Sequence, residues 1–579
     1  MTPTPTVSAV APSDGQRTGL ALQFHLVLAR LQRLLSDSQA QRAILVAVIV
    51  WVFWDGIWAG VARSDQIFYL HDMAQFHTLG EILSNAPSWN RTVTPGDDII
   101  LYRPVLYLLL ASFYYVFRYN FVAWQIASLC LHIAVVLGLH LLLIQGRLKH
   151  TLLPLLISLL FGTAFLGSEL ILWNHIVGYV LFCALDVYAV YFFLRFLVTD
   201  RVALLIPCAA LSVIAEFTYE PGAIVNLLFA ATLLARKLTA SAPAARLAEA
   251  RDRADGRFAL TFVLAALLLP IGSLIDLQVR GFAFSPNLHQ TGGRVILLGT
   301  EATLHQIGFW MSAWLAPTVY QVFAVARAVC QVSGAGVTAL SLLNLIALAL
   351  LLAAGVRGFR LVRHSNVSKR EPEFALALCM LFLFGYSMII AVGRTLPRGW
   401  VNVISNIYYS YPAYLTVCVG IALAAAVGQT RPSAGSVAIS PDSDAPNADR
   451  GTGQTTQPSP LDRGLVLALF ILVFLNACGV RQLAHAYRYD FAAPRQAVLD
   501  RVMAWRKQVG EQPRYFRVDP NCSGNEKLVW AQHAQLLGAN ITLADALWPE
   551  QSATLRDVAG NTAPDSVDEI SCDDGIAAH

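Results

Sequence analysis

The sequence predicts an all-α polytopic membrane protein. It is read as a bundle of about 11 transmembrane helices with further helices along the membrane surface, then a small C-terminal extramembrane α/β domain. Three observations carry this. Of 579 residues, 56% are hydrophobic and only 13% charged, with a mean hydropathy of +0.54, whereas soluble domains carry about 25% charged residues. Apolar runs of spanning length recur along the chain, and the Lys and Arg residues gather between them. The net charge of +4 is small and not clustered on one face, so no nucleic-acid partner is expected.

Residues 1–41 are polar, then mixed, and are expected to be a cytoplasmic segment without a cleavable signal, because the first apolar run is full length. A spanning helix needs about 20 mostly apolar residues. That rule places spans near 42–62, 121–144, 151–168, 175–198, 202–217, 221–236, 258–278, 335–356, 373–392, 409–427 and 463–480. Segments 104–118 and 303–326 are apolar but interrupted. Cytoplasmic loops are enriched in Lys and Arg. If both segments lie along the outer surface, the clusters Arg147/Lys149, Arg195/Arg201, Arg236 to Arg257, Arg357 to Arg370 and Arg431/Arg463 all fall on one side. The N-terminus is then cytoplasmic and the C-terminus outside.

This orientation sends the polar loop 63–104 outward, together with the turns at Glu169 and at Glu216/Glu220 and the loops 279–302 and 393–408. The membrane module covers 42–427. Residues 428–462, rich in Ser, Pro, Asp and Gly, read as a flexible cytoplasmic linker to the last span at 463–480. From 481 to 579 the chain is polar, with helical stretches at 494–509 and 525–537 and a strand from Tyr515 to Val518; it is long enough for one small domain. None of the nine cysteines forms a CxxC pair, so a zinc site is not expected. Seven lie in or beside apolar runs as small apolar side chains, while Cys522 and Cys572 stand in the polar tail and could pair in an oxidising compartment.

The organising stretch is the first outer loop. It holds Asp65, His71, Asp72, Glu81, Asp97 and Asp98 and closes on Tyr102-Arg103-Pro104. Asp65 and Asp72 are either solvated loop charges or a general base and metal-holding acid for attack on an activated sugar. Arg103 is either a headgroup anchor or a fork for phosphate, which suits guanidinium geometry. Arg394 and Arg398, in GRTLPRGW, are outer arginines that run against the charge bias, and anionic lipid phosphate is one reason for them. Asp55 and Asp186 lie inside apolar runs and are expected to face partners. His132 and His140 are two turns apart, too far for one metal, and read as interior hydrogen-bonding groups.

Ser64-Asp65-Gln66 opening the loop, Asp72 after it, and the Tyr102-Arg103-Pro104 closure resemble the GT-C superfamily of integral-membrane glycosyltransferases. The nearest likeness is the branch of tetratricopeptide-bearing protein O-mannosyltransferases and their bacterial relatives. Glu169 and Trp173 stand at that branch's E-x-x-x-W spacing, Tyr219-Glu220 replaces its Lys-Glu pair, and Tyr408-Tyr409-Ser410-Tyr411-Pro412 stands where it has an Arg-Tyr motif. The likeness covers about 60–430, and no repeats follow it.

The resemblance implies a bacterial inner-membrane enzyme with a periplasmic active site. It would move a sugar from a polyprenyl-phosphate donor to a glycan, lipid or protein acceptor, with inversion. On this reading Asp65, Asp72 and Glu169 are catalytic, and Arg103, Arg394 and Arg398 bind the donor phosphate. Tyr102, Trp173, Glu220, Tyr409 and Tyr411 contact substrate. A divalent metal, Mg or Mn, is an open part of the implication, because only one acid of the usual pair is present. The alternatives are a transporter or flippase of lipid-linked saccharide, which would place ionisable groups near the midplane and break its helices, and an inactive GT-C-like scaffold.

Overall fold

The computed structural model describes residues 37–60, 73, 76–85, 90–92, 100–145, 152–239, 255–268, 271–272, most of 378–386, 411–429, 460–492, and three short segments at 514–518, 541–543 and 568–570. The structure is predominantly helical. Helix α1 (Ser38–Val52) is capped by Asp37, whose side chain accepts from the Gln39 amide at 2.9 Å; it gives way at Phe53 to the short α2 (Trp54–Ile57). In the first loop, α3 (Leu79–Asn85) precedes an antiparallel pair of β1 (Asn90–Thr92) and β2 (Ile100–Tyr102), which leads into α4 (Pro104–Phe117).

Next come α5 (Phe121–Gln145), α6 (Leu153–Gly162), α7 (Phe165–Leu172), a 3-10 turn at Asn174–Ile176 and α8 (Gly178–Thr199). They are followed by a 3-10 turn at Val202–Leu204, α9 (Leu205–Thr218) and α10 (Gly222–Thr239). Residues 255–268 are helical too. Further on are α11 (Tyr411–Gln429) and α12 (Pro460–Ala486), the latter continued by a π-helical turn at Tyr487–Ala492. Strand β3 (Arg514–Val518) runs parallel to and between β4 (Ile541–Leu543) and β5 (Asp568–Ile570). The strand expected from Tyr515 to Val518 is therefore present, one residue longer.

Among the described residues, three stretches are long and apolar enough to cross a membrane: Phe121–Ile144, Asn174–Thr199 and Gly464–Tyr489. At 1.5 Å per residue each extends beyond the roughly 30 Å hydrocarbon core. Among the remaining expected spans, 151–168 is not one helix. It breaks at Thr163–Ala164 into α6 and α7, and α6 with its 10 residues reaches only about 15 Å. The expected spans at 335–356 and most of 373–392, and the surface segment 303–326, lie outside the described residues.

Helix α6 is the centre of the bundle. All ten of its residues are buried, and α1, α5, α11 and α12 pack on it. Its apolar character on every side matches that position. The outside of the bundle is apolar as well: α12 turns Leu467, Phe470, Ile471 and Phe474 outward, each about half to two-thirds exposed and at the i, i+3, i+4, i+7 spacing of one helix face. A continuous exposed apolar stripe of this kind suits lipid. Asp55, expected to need a partner, has Arg488 at 3.6 Å, and Arg481 donates to the Trp51 carbonyl at 2.7 Å with its guanidinium over the Trp51 ring. These contacts fasten the end of α12 to α1 and α2.

Candidate functional site

The YRP closure is built by backbone rules. Proline disfavours helical geometry in the residue before it and is well placed at the first position of a helix. Arg103 accordingly sits at φ −137° and ψ 63°, between the end of β2 and Pro104 at the start of α4. That junction directs the guanidinium inward, and Arg103 is only 8% exposed. Its Nε donates to Glu220 Oε1 and its Nη2 to Glu220 Oε2, both at 2.9 Å. The guanidinium carbon lies 4.1 Å from the centre of the Tyr219 ring, and Tyr219 stacks in turn on Tyr179 with centroids 3.9 Å apart. Burial works against the charge on Arg103, but the Glu220 carboxylate and the two tyrosines outweigh it and hold the guanidinium protonated, its pKa above the ordinary arginine value.

Glu220 is presented by the tight turn between α9 and α10. Tyr219 leaves α9 in an extended conformation, and Gly222 opens α10 so close to α9 that a Cβ there would lie 2.5 Å from Glu216 Cα. A third turn meets the other two. A Cβ on Gly178 would run into Leu106 of α4 and lie 2.8 Å from Tyr219 Cε2. The YRP junction, the 174–178 turn and the 219–222 turn therefore share one end of the bundle. The 174–178 turn is itself pinned: Gln125 Nε2 donates to the Leu172 carbonyl at 3.2 Å and to Asn174 Oδ1 at 3.3 Å, and Asn174 Nδ2 donates to Ser128 Oγ at 3.1 Å.

Of the residues singled out in the sequence, Arg103 and Glu220 are brought into direct contact, across 117 positions of chain. Trp173 is buried where α7 gives way to the 174–178 turn, packed edge-on against His175 with centroids 4.9 Å apart. Glu169 lies in α7 and Tyr102 at the end of β2. Tyr411 stands apart: it is 1% exposed in the core. His132 Nε2 donates to the Gly162 carbonyl at 2.9 Å, which leaves Nδ1 to accept from the Tyr411 hydroxyl at 2.8 Å. That carbonyl is one the break after α6 withdraws from the helix ladder. His132 is thus an interior hydrogen-bonding group, as expected, whereas His140 is buried with neither ring nitrogen hydrogen-bonded among the described residues. Asp65, Asp72, Arg394, Arg398, Tyr409, Cys522 and Cys572 lie outside the described residues.

Two acids differ from expectation. Glu216 is not in an outer turn; α9 runs on to Thr218, so Glu216 falls inside it at 1% exposure, accepting from Asn226 Nδ2 at 2.7 Å. Asp186 does face the interior, at 7% exposure, but its carboxylate has no hydrogen-bond partner among the described residues. Glu81, one of the loop acids, is a helix cap. Its amide donates to the Thr78 hydroxyl oxygen at 3.2 Å, and its carboxylate accepts from the His77 amide at 2.8 Å, a capping-box arrangement. The His77 N–H, followed by the Thr78 contacts, draws the Glu81 pKa below the usual carboxylate value.

Sequence reasoning missed Tyr179 and Gly178, and named Tyr219 only as the neighbour of Glu220. Tyr219 adjoins Glu220 and Tyr179 opens α8, and an aromatic beside an acid at a helix start is the signal that could have found them. Among the described residues no group of three His, Cys, Asp or Glu is placed to hold a metal. No family model matches the chain, and no curated protein is similar to it in sequence.

Proposed function

We propose that this protein is a membrane glycosyltransferase that moves a sugar from a polyprenyl-phosphate donor to an extracytoplasmic acceptor. The observation that carries the reading is the clamped Arg103. Its Nε and one Nη2 proton are committed to Glu220, and Tyr219 covers one face. Its Nη1 has no protein partner among the described residues. A guanidinium fixed in this way at the end of a helix bundle is suited to receive a phosphate oxygen and to neutralise the charge that grows as the sugar leaves. Asp65, in the same loop that Arg103 closes, would take the proton of the acceptor hydroxyl, with Asp72, Glu169 and the arginines 394 and 398 completing the site. Asp65 and Asp72, the acids that would hold Mg or Mn on this reading, lie outside the described residues.

The same proposal takes the chain across a bacterial inner membrane eleven times, with the N-terminus cytoplasmic and the C-terminus periplasmic. The parallel strands β3 to β5 support reading 481–579 as a small α/β domain. One set of observations favours the flippase reading instead: the broken helix α6–α7 and the buried Asp186 and Glu216 are features of transporters.

A deletion strain separates the two. A transferase defect removes one sugar from an envelope glycan while its donor accumulates. A flippase defect leaves the complete lipid-linked saccharide stranded on the cytoplasmic face, and that result would displace the transferase reading.

A further inference from the structure

Beneath the Arg103–Glu220 pair, three side chains from three helices meet in the interior. Asp186 lies eight residues into α8, about 12 Å below its start. Glu216 of α9 is close enough to interact with it electrostatically, and Asn226 of α10 donates to Glu216. The residues are 7%, 1% and 0% exposed. Both oxygens of Asp186 and the Oδ1 of Asn226 have no hydrogen-bond partner among the described residues. The donor in the group, Asn226 Nδ2, is turned to Glu216.

Buried polar atoms in folded proteins are nearly always satisfied, and an intramembrane carboxylate is normally paired with a cation. Among the described residues no cation is paired with Asp186. Its neighbours are Glu216 and Cys208 from α9 and Cys183 from its own helix; beyond Cys183 stands Tyr411 of α11, whose hydroxyl is held by His132 of α5. Two carboxyl groups within electrostatic reach of each other in apolar surroundings do not readily ionise together. Asp186 is a buried acceptor without a donor among the described residues, and the smallest ligand that supplies one is a proton.

We propose that Asp186, Glu216 and Asn226 form an intramembrane proton-binding site, with the proton shared by the two carboxyl groups. Its neutral carboxyl gains a donor that Asn226 Oδ1 or the facing carboxylate can accept. This site is separate from glycosyl transfer and stands or falls without it.

The test uses the full-length protein in detergent near neutral pH. Dicyclohexylcarbodiimide reacts with protonated carboxyl groups in apolar surroundings, and peptide mass spectrometry reads the labelled residue. The result expected is labelling of Asp186 or Glu216 that declines as pH is raised, is lost in the Asp186→Asn, Glu216→Gln double variant, and is unaffected by sodium. In parallel, the infrared stretch of a protonated carboxyl is present in the wild type and lost in Glu216→Gln or Asp186→Asn, whichever of the two variants folds. The absence of both label and band near neutral pH would overturn the proposal. Protection by sodium would overturn it too, making the occupant a metal cation.

Discussion

Replacing Glu220 with glutamine should destabilise the protein more than any other single polar change at the end of the bundle where it lies. The Arg103 side chain is 10% exposed and makes two 2.9 Å bonds to one carboxylate. Glutamine keeps one acceptor but turns an NH2 toward a guanidinium N–H, leaving a buried cation without its counter-charge. Breaking a fully buried pair costs about 3–5 kcal/mol; the Glu220 side chain is 30% exposed, so solvent recovers part of this, and we expect about 2–3 kcal/mol. Arg103→Gln leaves a carboxylate that water can reach and should cost less, about 1–2 kcal/mol. The double variant separates the pair from other effects, and a coupling energy of about 1.5–3 kcal/mol is expected. Equilibrium unfolding in mixed micelles with a denaturing detergent measures all four states. If the two single changes prove additive, or each costs under about 0.5 kcal/mol, the pair does not organise the site and the argument built on Arg103 fails.

Further outcomes follow from the packing and the caps. Tyr219→Leu removes the ring beneath the guanidinium and should cost about 1 kcal/mol in the same assay, with an effect that vanishes in the Arg103→Gln background. Gly178→Val drives a side chain into Leu106 and Tyr219 and should cost about 1–3 kcal/mol, read as a lowered unfolding midpoint. His132→Phe orphans the Gly162 carbonyl and the Tyr411 hydroxyl and should cost about 2–4 kcal/mol, whereas Tyr411→Phe should cost only about 1 kcal/mol. For Glu81 the folded-state pKa lies below 4.5. Its contribution to α3 is present above that value and is lost as pH falls through the depressed one. Amide protection at His77, corrected for intrinsic exchange, should fall in that acid range in the wild type and show no such step in Glu81→Gln.

The positions of most helices were legible because apolar length and the charges between runs mark them, and the whole of 121–144 reappears in α5. The break at Thr163–Ala164 was not. Residues from Leu153 to Leu172 are almost uniformly apolar, so hydropathy sees one run, and only the three-dimensional competition of His132 for the Gly162 carbonyl reveals two helices. Glu216 looked like a loop acid because it stands two residues from the end of α9; the close approach of α10 at Gly222 is what buries it. The hairpin at 90–102 was read as loop because three-residue strands carry little pattern. At the site, Arg103 and Glu220 were each visible as motif residues. Their contact was not, since nothing local in a sequence joins positions 117 apart.

The account depends most on Arg103 serving a lipid-linked phosphate. The direct measurement is transfer of labelled sugar from a polyprenyl-phosphate donor by the purified protein in liposomes, alongside Arg103→Ala and Asp65→Asn. Transfer by the wild type that falls at least tenfold in each variant, about 1.4 kcal/mol or more of transition-state stabilisation, is what the account predicts. Equal transfer by all three proteins, or none by the wild type while donor crosses the bilayer intact, would contradict it.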